Sequence, residues 1–165
     1  MLGITLITKI LVGIDGSEKS QKALDYALEI AEKFSASIQI LNVFQPLPEF
    51  GNQPDMLQPV VSGYPQGQTG YSSDLASFMK ELRKMHEAIL SRATDRATKL
   101  KPNLKINSEL TEGDPSSQIV ETAANGQFNL IIIGHKGESK FNEFLLGSTS
   151  ERVAHQAKCA VLIVK

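Results

Sequence analysis

The residues best equipped for chemistry sit in one stretch near the carboxyl end. Gly134-His135-Lys136-Gly137 follows the apolar run Leu130-Ile131-Ile132-Ile133, and nine residues separate Gly137 from Gly147-Ser148-Thr149-Ser150. Glycines let a backbone approach a ligand closely or adopt positive φ. Free N–H groups at a helix start favour an anion, commonly a phosphate. A buried strand ending in a glycine-framed loop that feeds a hydroxyl-rich helix start therefore reads as a nucleotide site. The competing reading is a plain turn, because Gly134 and Gly137 alone form only a GxxG. The stretch is neither a Walker A motif, for want of Gly-Lys-Ser/Thr, nor the dinucleotide fingerprint.

Most of these residues support two readings. Ser148, Thr149 and Ser150 offer hydroxyls and main-chain N–H groups to a phosphate, or one of them caps the last helix. The two roles are compatible. Lys136 and Lys140 bring positive charge, whereas Glu138 opposes a phosphate if it points inward. Asp15 ends an earlier apolar run. It can accept from a ribose hydroxyl or an adenine amine, or serve as a turn aspartate before a helix. Val43 can wall an adenine or be an ordinary core valine. Catalytic signals are sparse. His86, His135 and His155 are scattered, with neither HExxH nor a Cys/His cluster, so no metal cage is expected. His135 could touch a ligand but reads as a surface residue; His86 and His155 read as helix-surface residues. Cys159 reads as buried rather than reactive. No GxSxG elbow and no carboxylate pair for acid–base work stands out.

The elements that must position these residues follow from hydrophobic period. Residues 10–14 form a β-branched strand broken by Asp15-Gly16-Ser17. A helix over about 17–34 carries Ala23, Leu24, Ala27, Ile30, Ala31 and Phe34 at helical spacing. A second strand covers 37–44. Residues 74–100 form a long amphipathic helix with Leu75, Phe78, Leu82, Met85, Ile89, Ala93, Ala97 and Leu100 on one face. A third strand spans 105–111. Asp114 and Pro115 are a helix cap and first-turn proline, and Asn125-Gly126 is a stop. Strand four is 130–133, the last helix about 148–157 and strand five 160–164. Strands alternating with helices imply an α/β fold, a parallel sheet covered on both faces. Ligands in such sheets sit beyond the carboxyl ends of the strands, where strand order reverses. The order 3-2-1-4-5 is favoured because it brings Asp15 and Gly134 together.

Residues 45–73 differ. They hold prolines at 46, 48, 54, 59 and 65 and glycines at 51, 63, 67 and 70. Such a connection reads as a mobile loop, disordered or partly ordered without a partner. The 165 residues are 41% hydrophobic and 21% charged, consistent with a single domain. A net charge of −1 gives no global electrostatic case for nucleic acid or an anionic membrane. The one cysteine excludes an intramolecular disulfide and fits a reducing compartment. No apolar run approaches the roughly 18–20 residues that span a bilayer. The apolar residues 1–8 lack a basic leader, so cytoplasmic is the natural reading.

The chain resembles the universal stress proteins from end to end. The likeness rests on Ile10-Leu11-Val12-Gly13-Ile14-Asp15-Gly16-Ser17, on Glu112-Gly113-Asp114-Pro115 and on Cys159-Ala160-Val161-Leu162-Ile163-Val164. Above all it rests on the pattern Gly-x2-Gly-x9-Gly-Ser/Thr, here Gly134, Gly137, Gly147 and Ser148. The resemblance implies a five-stranded Rossmann-like sandwich, similar to adenine nucleotide alpha hydrolases, of order 3-2-1-4-5. It implies the ATP-binding subgroup, with ATP held alone or as its magnesium complex. Carried onto this chain, Asp15 and Val43 hold the adenosine, with Gly13 and Ile14 beside them and Gly113 at the border. Gly134, His135, Lys136, Gly137, Glu138 and Ser139, with Gly147, Ser148, Thr149 and Ser150, hold ribose and phosphates. Many members carry a basic or small residue where this chain has Glu138, a departure that bears on the triphosphate rather than the fold. The implied role is a nucleotide-dependent regulator in a stress response, at most a slow ATPase. It would be a homodimer through the last strand and would act on an unknown protein partner. The alternative is a nucleotide-independent interaction module. A phosphorylated receiver domain fits less well, because Asp15 is followed by Gly16-Ser17 and not by an acidic cluster.

Overall fold

The computed structural model describes residues 6–46, 71–135 and 147–165. Strands and helices alternate: β1 (Lys9–Ile14), α1 (Glu18–Phe34), β2 (Ser37–Phe44), α2 (Tyr71–Leu100), β3 (Ile106–Glu112), α3 (Pro115–Asn125), β4 (Leu130–Gly134), α4 (Ser148–Gln156) and β5 (Ala160–Val164). The five strands form one sheet in the order β3-β2-β1-β4-β5, every pair parallel. This is the expected α/β architecture and strand order.

Each face of the sheet has its own core. Ile10, Val12 and Ile14 of β1 and Ile38 and Ile40 of β2 join Leu130 and Ile132 under α1 and α2. Leu11, Leu41, Ile131 and Ile133 point the other way, against Ile119 and Ala123 of α3 and Val153 of α4. Covering both faces requires apolar residues at successive positions, which is why β1 and β4 read as unbroken runs. The β3 strand lies at an edge, and Asn107, Ser108 and Glu109 remain exposed there. Helix α1 starts at the Ser17 cap, whose side chain accepts from the Ser20 N–H at 3.2 Å, and it stops at Ser35 in the left-handed region.

Helix α2 departs from expectation twice. It begins at Tyr71, so the connection read as ending at Ser73 gives way three residues earlier. Gly70 is the last breaker before the helix, and nothing from Tyr71 onward interrupts it. Residues 47–70 of that connection, and the expectation of mobility placed on them, lie outside the described residues. Phe78, Met85 and Leu100 were expected on the buried face but are 54%, 51% and 53% exposed. The seam against the sheet runs instead through Ile89, Leu90, Ala93 and Ala97. A 30-residue helix is about 45 Å long and overhangs the short strands beneath it, so only part of it finds a partner.

Candidate functional site

Strand register assembles the site at the carboxyl edge. Ile14 lies opposite Asn42, and Gly13 lies opposite both Leu41 and Ile133. The residues that follow, Asp15, Val43 and Gly134, therefore emerge from three adjacent strands where strand order reverses. Val43 pairs with Thr111 of β3, and the Gly113 N–H donates to the Phe44 carbonyl at 3.0 Å, which brings Gly113 to the same edge.

Asp15 is exposed, and its Oδ1 accepts from the Ser17 N–H at 3.0 Å. The turn reading is thus true, with Gly16 at φ +89° completing the turn. Oδ2 has no partner among the described residues, so the turn leaves one carboxylate oxygen for a ligand. Val43 is half-buried against the second core. Ile14 is buried beneath the helices, and Gly13 lies where a Cβ would stand 3.0 Å from Ile133 Cγ2. Both bring backbone, not side chain, to the edge. Gly134 has a structural reason of its own. A Cβ there would lie 3.0 Å from the carbonyl carbon of Lys19 and 3.1 Å from the Ser20 nitrogen, so a side chain would crowd the backbone of the first turn of α1.

His135 ties the loop base together. Its N–H donates to the Val164 carbonyl at 2.7 Å, and its own carbonyl accepts from the Gly147 N–H at 2.8 Å. The Ser150 hydroxyl, itself buried, lies 2.7 Å from the same carbonyl and 2.9 Å from that of Gly147. Ser150 therefore uses its hydroxyl within the fold. The reading of His135 as a surface residue is corrected: it is half-buried, and its Nδ1 is shielded from water without a partner among the described residues. Lys136, Gly137, Glu138, Ser139 and Lys140 lie outside the described residues.

Helix α4 opens differently from α1 and α3, which have the side-chain caps Ser17 and Asp114. Its cap residue Gly147 has extended backbone (φ −65°, ψ 150°) and supplies no side-chain bond. The first intrahelical bond runs from the Glu151 N–H to the Gly147 carbonyl at 2.9 Å. The N–H groups of Ser148, Thr149 and Ser150 precede it and have no partner among the described residues. Ser148 is exposed and Thr149 half-buried. Oriented donors at a helix start are suited to an oxyanion.

One residue escaped the sequence reading. His86 is not on the outer surface of α2; it is half-buried, with Nδ1 2.6 Å from Oδ1 of Asn42, a side chain of 0% exposure. Asn42 in turn donates from Nδ2 to the Ile14 carbonyl at 2.8 Å. Burial pushes the His86 pKa below its ordinary value, and the Asp15 carboxylate opposes that shift. Two signals were available in the sequence. Asn42 interrupts an apolar strand at an inward position, and His86 stands four residues before Leu90 on the seam of α2. Cys159 is half-buried, and burial pushes its thiol pKa up. No group of three or more His, Cys, Asp or Glu among the described residues could hold a metal ion. No described helix is long and apolar enough to cross a membrane.

The family model described as "Universal stress protein family" matches residues 7–165. The chain belongs to the universal stress protein family. Among its relatives, universal stress protein MJ0531 of Methanocaldococcus jannaschii is 31% identical over 165 residues, covering 99% of this chain and 85% of that protein. Among solved structures, universal stress protein UspA from Lactobacillus plantarum superposes with a TM-score of 0.74 at 22% identity, over 96% of this chain and 97% of that one. A universal stress protein crystallised in complex with cAMP gives a TM-score of 0.66 at 29% identity, over 97% and 98% of the two chains. The carboxyl edge described above is thus the edge of a universal stress protein sheet.

Proposed function

We propose that this universal stress protein binds an adenine nucleotide at the carboxyl edge of its sheet and acts as a nucleotide-dependent regulatory protein. One observation carries the reading. Among the described residues, the start of α4 has no side-chain cap, and its unpartnered N–H groups lie at the same edge as Oδ2 of Asp15, which has no partner there either. The first suits a phosphate and the second a ribose hydroxyl or adenine amine. The relative crystallised with cAMP lends support, because cAMP joins those same groups in one molecule.

In this reading Val43 and Gly113 border the adenosine. The N–H groups of Ser148, Thr149 and Ser150 meet phosphate, together with the loop from Gly134 through Ser139. ATP is the expected ligand, and Mg²⁺ would ride on its phosphates. Slow turnover is expected, because among the described residues the edge offers donors to phosphate but no evident general base beside them. The subunit pairs with a second copy through β5, whose Val161, Leu162 and Ile163 are only half-buried. Sedimentation at micromolar concentration that returned only monomer would remove the dimer.

Calorimetric titration of the purified protein with ATP, AMP and adenosine tests the main claim, with native mass spectrometry of the fresh preparation as a check for co-purified nucleotide. Saturable binding, tighter for AMP than for adenosine, is expected. Absence of binding by all three would overturn the reading and leave a nucleotide-independent interaction module.

A further inference from the structure

We propose that His86 is a positioning residue of the nucleotide site: by holding Asn42, it fixes the end of β1 that presents Asp15 and so makes helix α2 part of that site. The inference rests on the nucleotide reading above.

The geometry is a chain of dependent contacts. Asn42 is the one wholly buried amide on the inward face of β2, and both ends of it are engaged. Nδ2 is committed as donor to the Ile14 carbonyl at 2.8 Å, so Oδ1 is the atom that meets His86. An amide oxygen only accepts, so Nδ1 of His86 carries a proton in both charge states. The ring is held from the side as well, by an edge contact with Phe44 at 5.5 Å between centroids. The Ile14 carbonyl belongs to the peptide unit that leads into Asp15. A shift of α2 is thereby transmitted through two hydrogen bonds to the residue that faces the ligand. Without the histidine N–H, Asn42 Oδ1 would be left buried and unsatisfied, and the amide would turn or move.

The fixed Nδ1 proton places titration at Nε2. Among the described residues, Asp15, in the turn after β1, is the charged group that acts on this ring. On its own helix the neighbours are Arg83 and Glu87, and Arg83 is paired both with Glu87 and with Glu112 of β3. The contacts from β2, Asn42 and Phe44, are uncharged. Protonation at Nε2 therefore sets a cation near Asp15 that competes with the ligand's donors for its carboxylate. Adenosine should then bind less tightly as pH falls.

Adenosine titration of the parent, His86→Leu and His86→Asn separates the outcomes, since adenosine carries no phosphate to add its own charge. The asparagine variant keeps a donor where Nδ1 stands but cannot titrate. The parent should weaken as pH falls from about 7.5, with the loss centred below the ordinary histidine value of about 6.5, because burial holds the His86 pKa under it. His86→Leu should bind about tenfold more weakly at the upper pH, the effect of one lost hydrogen bond transmitted to the site. His86→Asn should bind like the parent at the upper pH and show no pH dependence. A leucine variant that folds and matches the parent would overturn the proposal while leaving the nucleotide reading intact. An asparagine variant with the parent's full pH dependence would do the same, and it decides the matter if the leucine variant does not fold. A parent that binds neither adenosine nor AMP would overturn the nucleotide reading first, and this proposal with it.

Discussion

Helices α3 and α4 begin with similar residues and end up in opposite states. Gly113-Asp114-Pro115-Ser116-Ser117 and Gly147-Ser148-Thr149-Ser150 both set a glycine before a run of hydroxyls. At α3 the Asp114 carboxylate closes the helix start. Its Oδ2 accepts from the Ser116 and Ser117 hydroxyls at 2.6 and 2.9 Å and from the Ser117 N–H at 2.9 Å, while Oδ1 accepts from Arg152 at 3.0 Å. These bonds, the Ser116 hydroxyl first, hold the Asp114 pKa far below the ordinary carboxylate range. At α4 the cap position is Gly147, without a carboxylate; the first-turn Glu151 is exposed and accepts no bond from the helix start among the described residues, and the one buried hydroxyl, Ser150, turns back to His135. Hydroxyl content therefore does not distinguish a structural helix start from a binding one. In the nucleotide reading, what distinguishes them is whether the cap residue brings its own carboxylate, as Asp114 does and Gly147 does not.

The comparison can be broken at several points. The largest effect is expected at Gly137, which the loop reading places against phosphate. Gly137→Val should remove ATP and AMP binding beyond detection by calorimetry, since a branched side chain would fill that approach. Parent-like titration would show that the glycine pattern is not a phosphate cradle. Asp15→Ala should cost adenosine about 1.5–3 kcal/mol, roughly 10- to 150-fold in Kd, the value of a hydrogen bond to a charged group. Unchanged adenosine affinity would confine Asp15 to its turn.

The closed start predicts stability effects. Asp114→Ala should destabilise the fold by about 1–2 kcal/mol at neutral pH through loss of the α3 cap, read by urea denaturation. Because the folded pKa of Asp114 is depressed, its contribution is complete above the ordinary carboxylate value of about 4. It declines as pH falls toward the folded value, so parent and variant should converge in acid. A gap that stays constant down to pH 3 would contradict the carboxylate's role. The smallest effect belongs to Ser148→Ala. It should weaken AMP by about 1 kcal/mol and leave adenosine unchanged, because only phosphate would meet that hydroxyl.

The sequence disclosed most of the fold because its signals are local. Ser17, Asp114-Pro115 and the runs 10–14 and 130–133 each mark an element boundary with chemistry confined to a few residues. Strand order then followed from a single adjacency, Asp15 with Gly134. The site was legible less evenly. Gly134 attracts attention as a ligand glycine, yet the backbone of Lys19 and Ser20 already favours it by leaving little room for a Cβ. The hydroxyl of Ser150 was matched to phosphate, but its partner is a carbonyl fifteen residues away in sequence. His86 was missed because its partner, Asn42, lies forty-four residues away. Periodicity identifies the face of a helix only as well as its apolar residues do, and on α2 those include the exposed Phe78 and Met85.

The central claim, that α4 is open because a ligand phosphate completes it, is tested most directly by closing it. Gly147 has backbone angles that any residue adopts, so Gly147→Asp should give α4 the carboxylate cap that α3 already has. Calorimetric titration of that variant with AMP and adenosine is the measurement. The account predicts that AMP loses its advantage and binds no better than adenosine, while stability rises by a few tenths to about 1 kcal/mol. A stabilised variant that still prefers AMP to the same degree as the parent would contradict it.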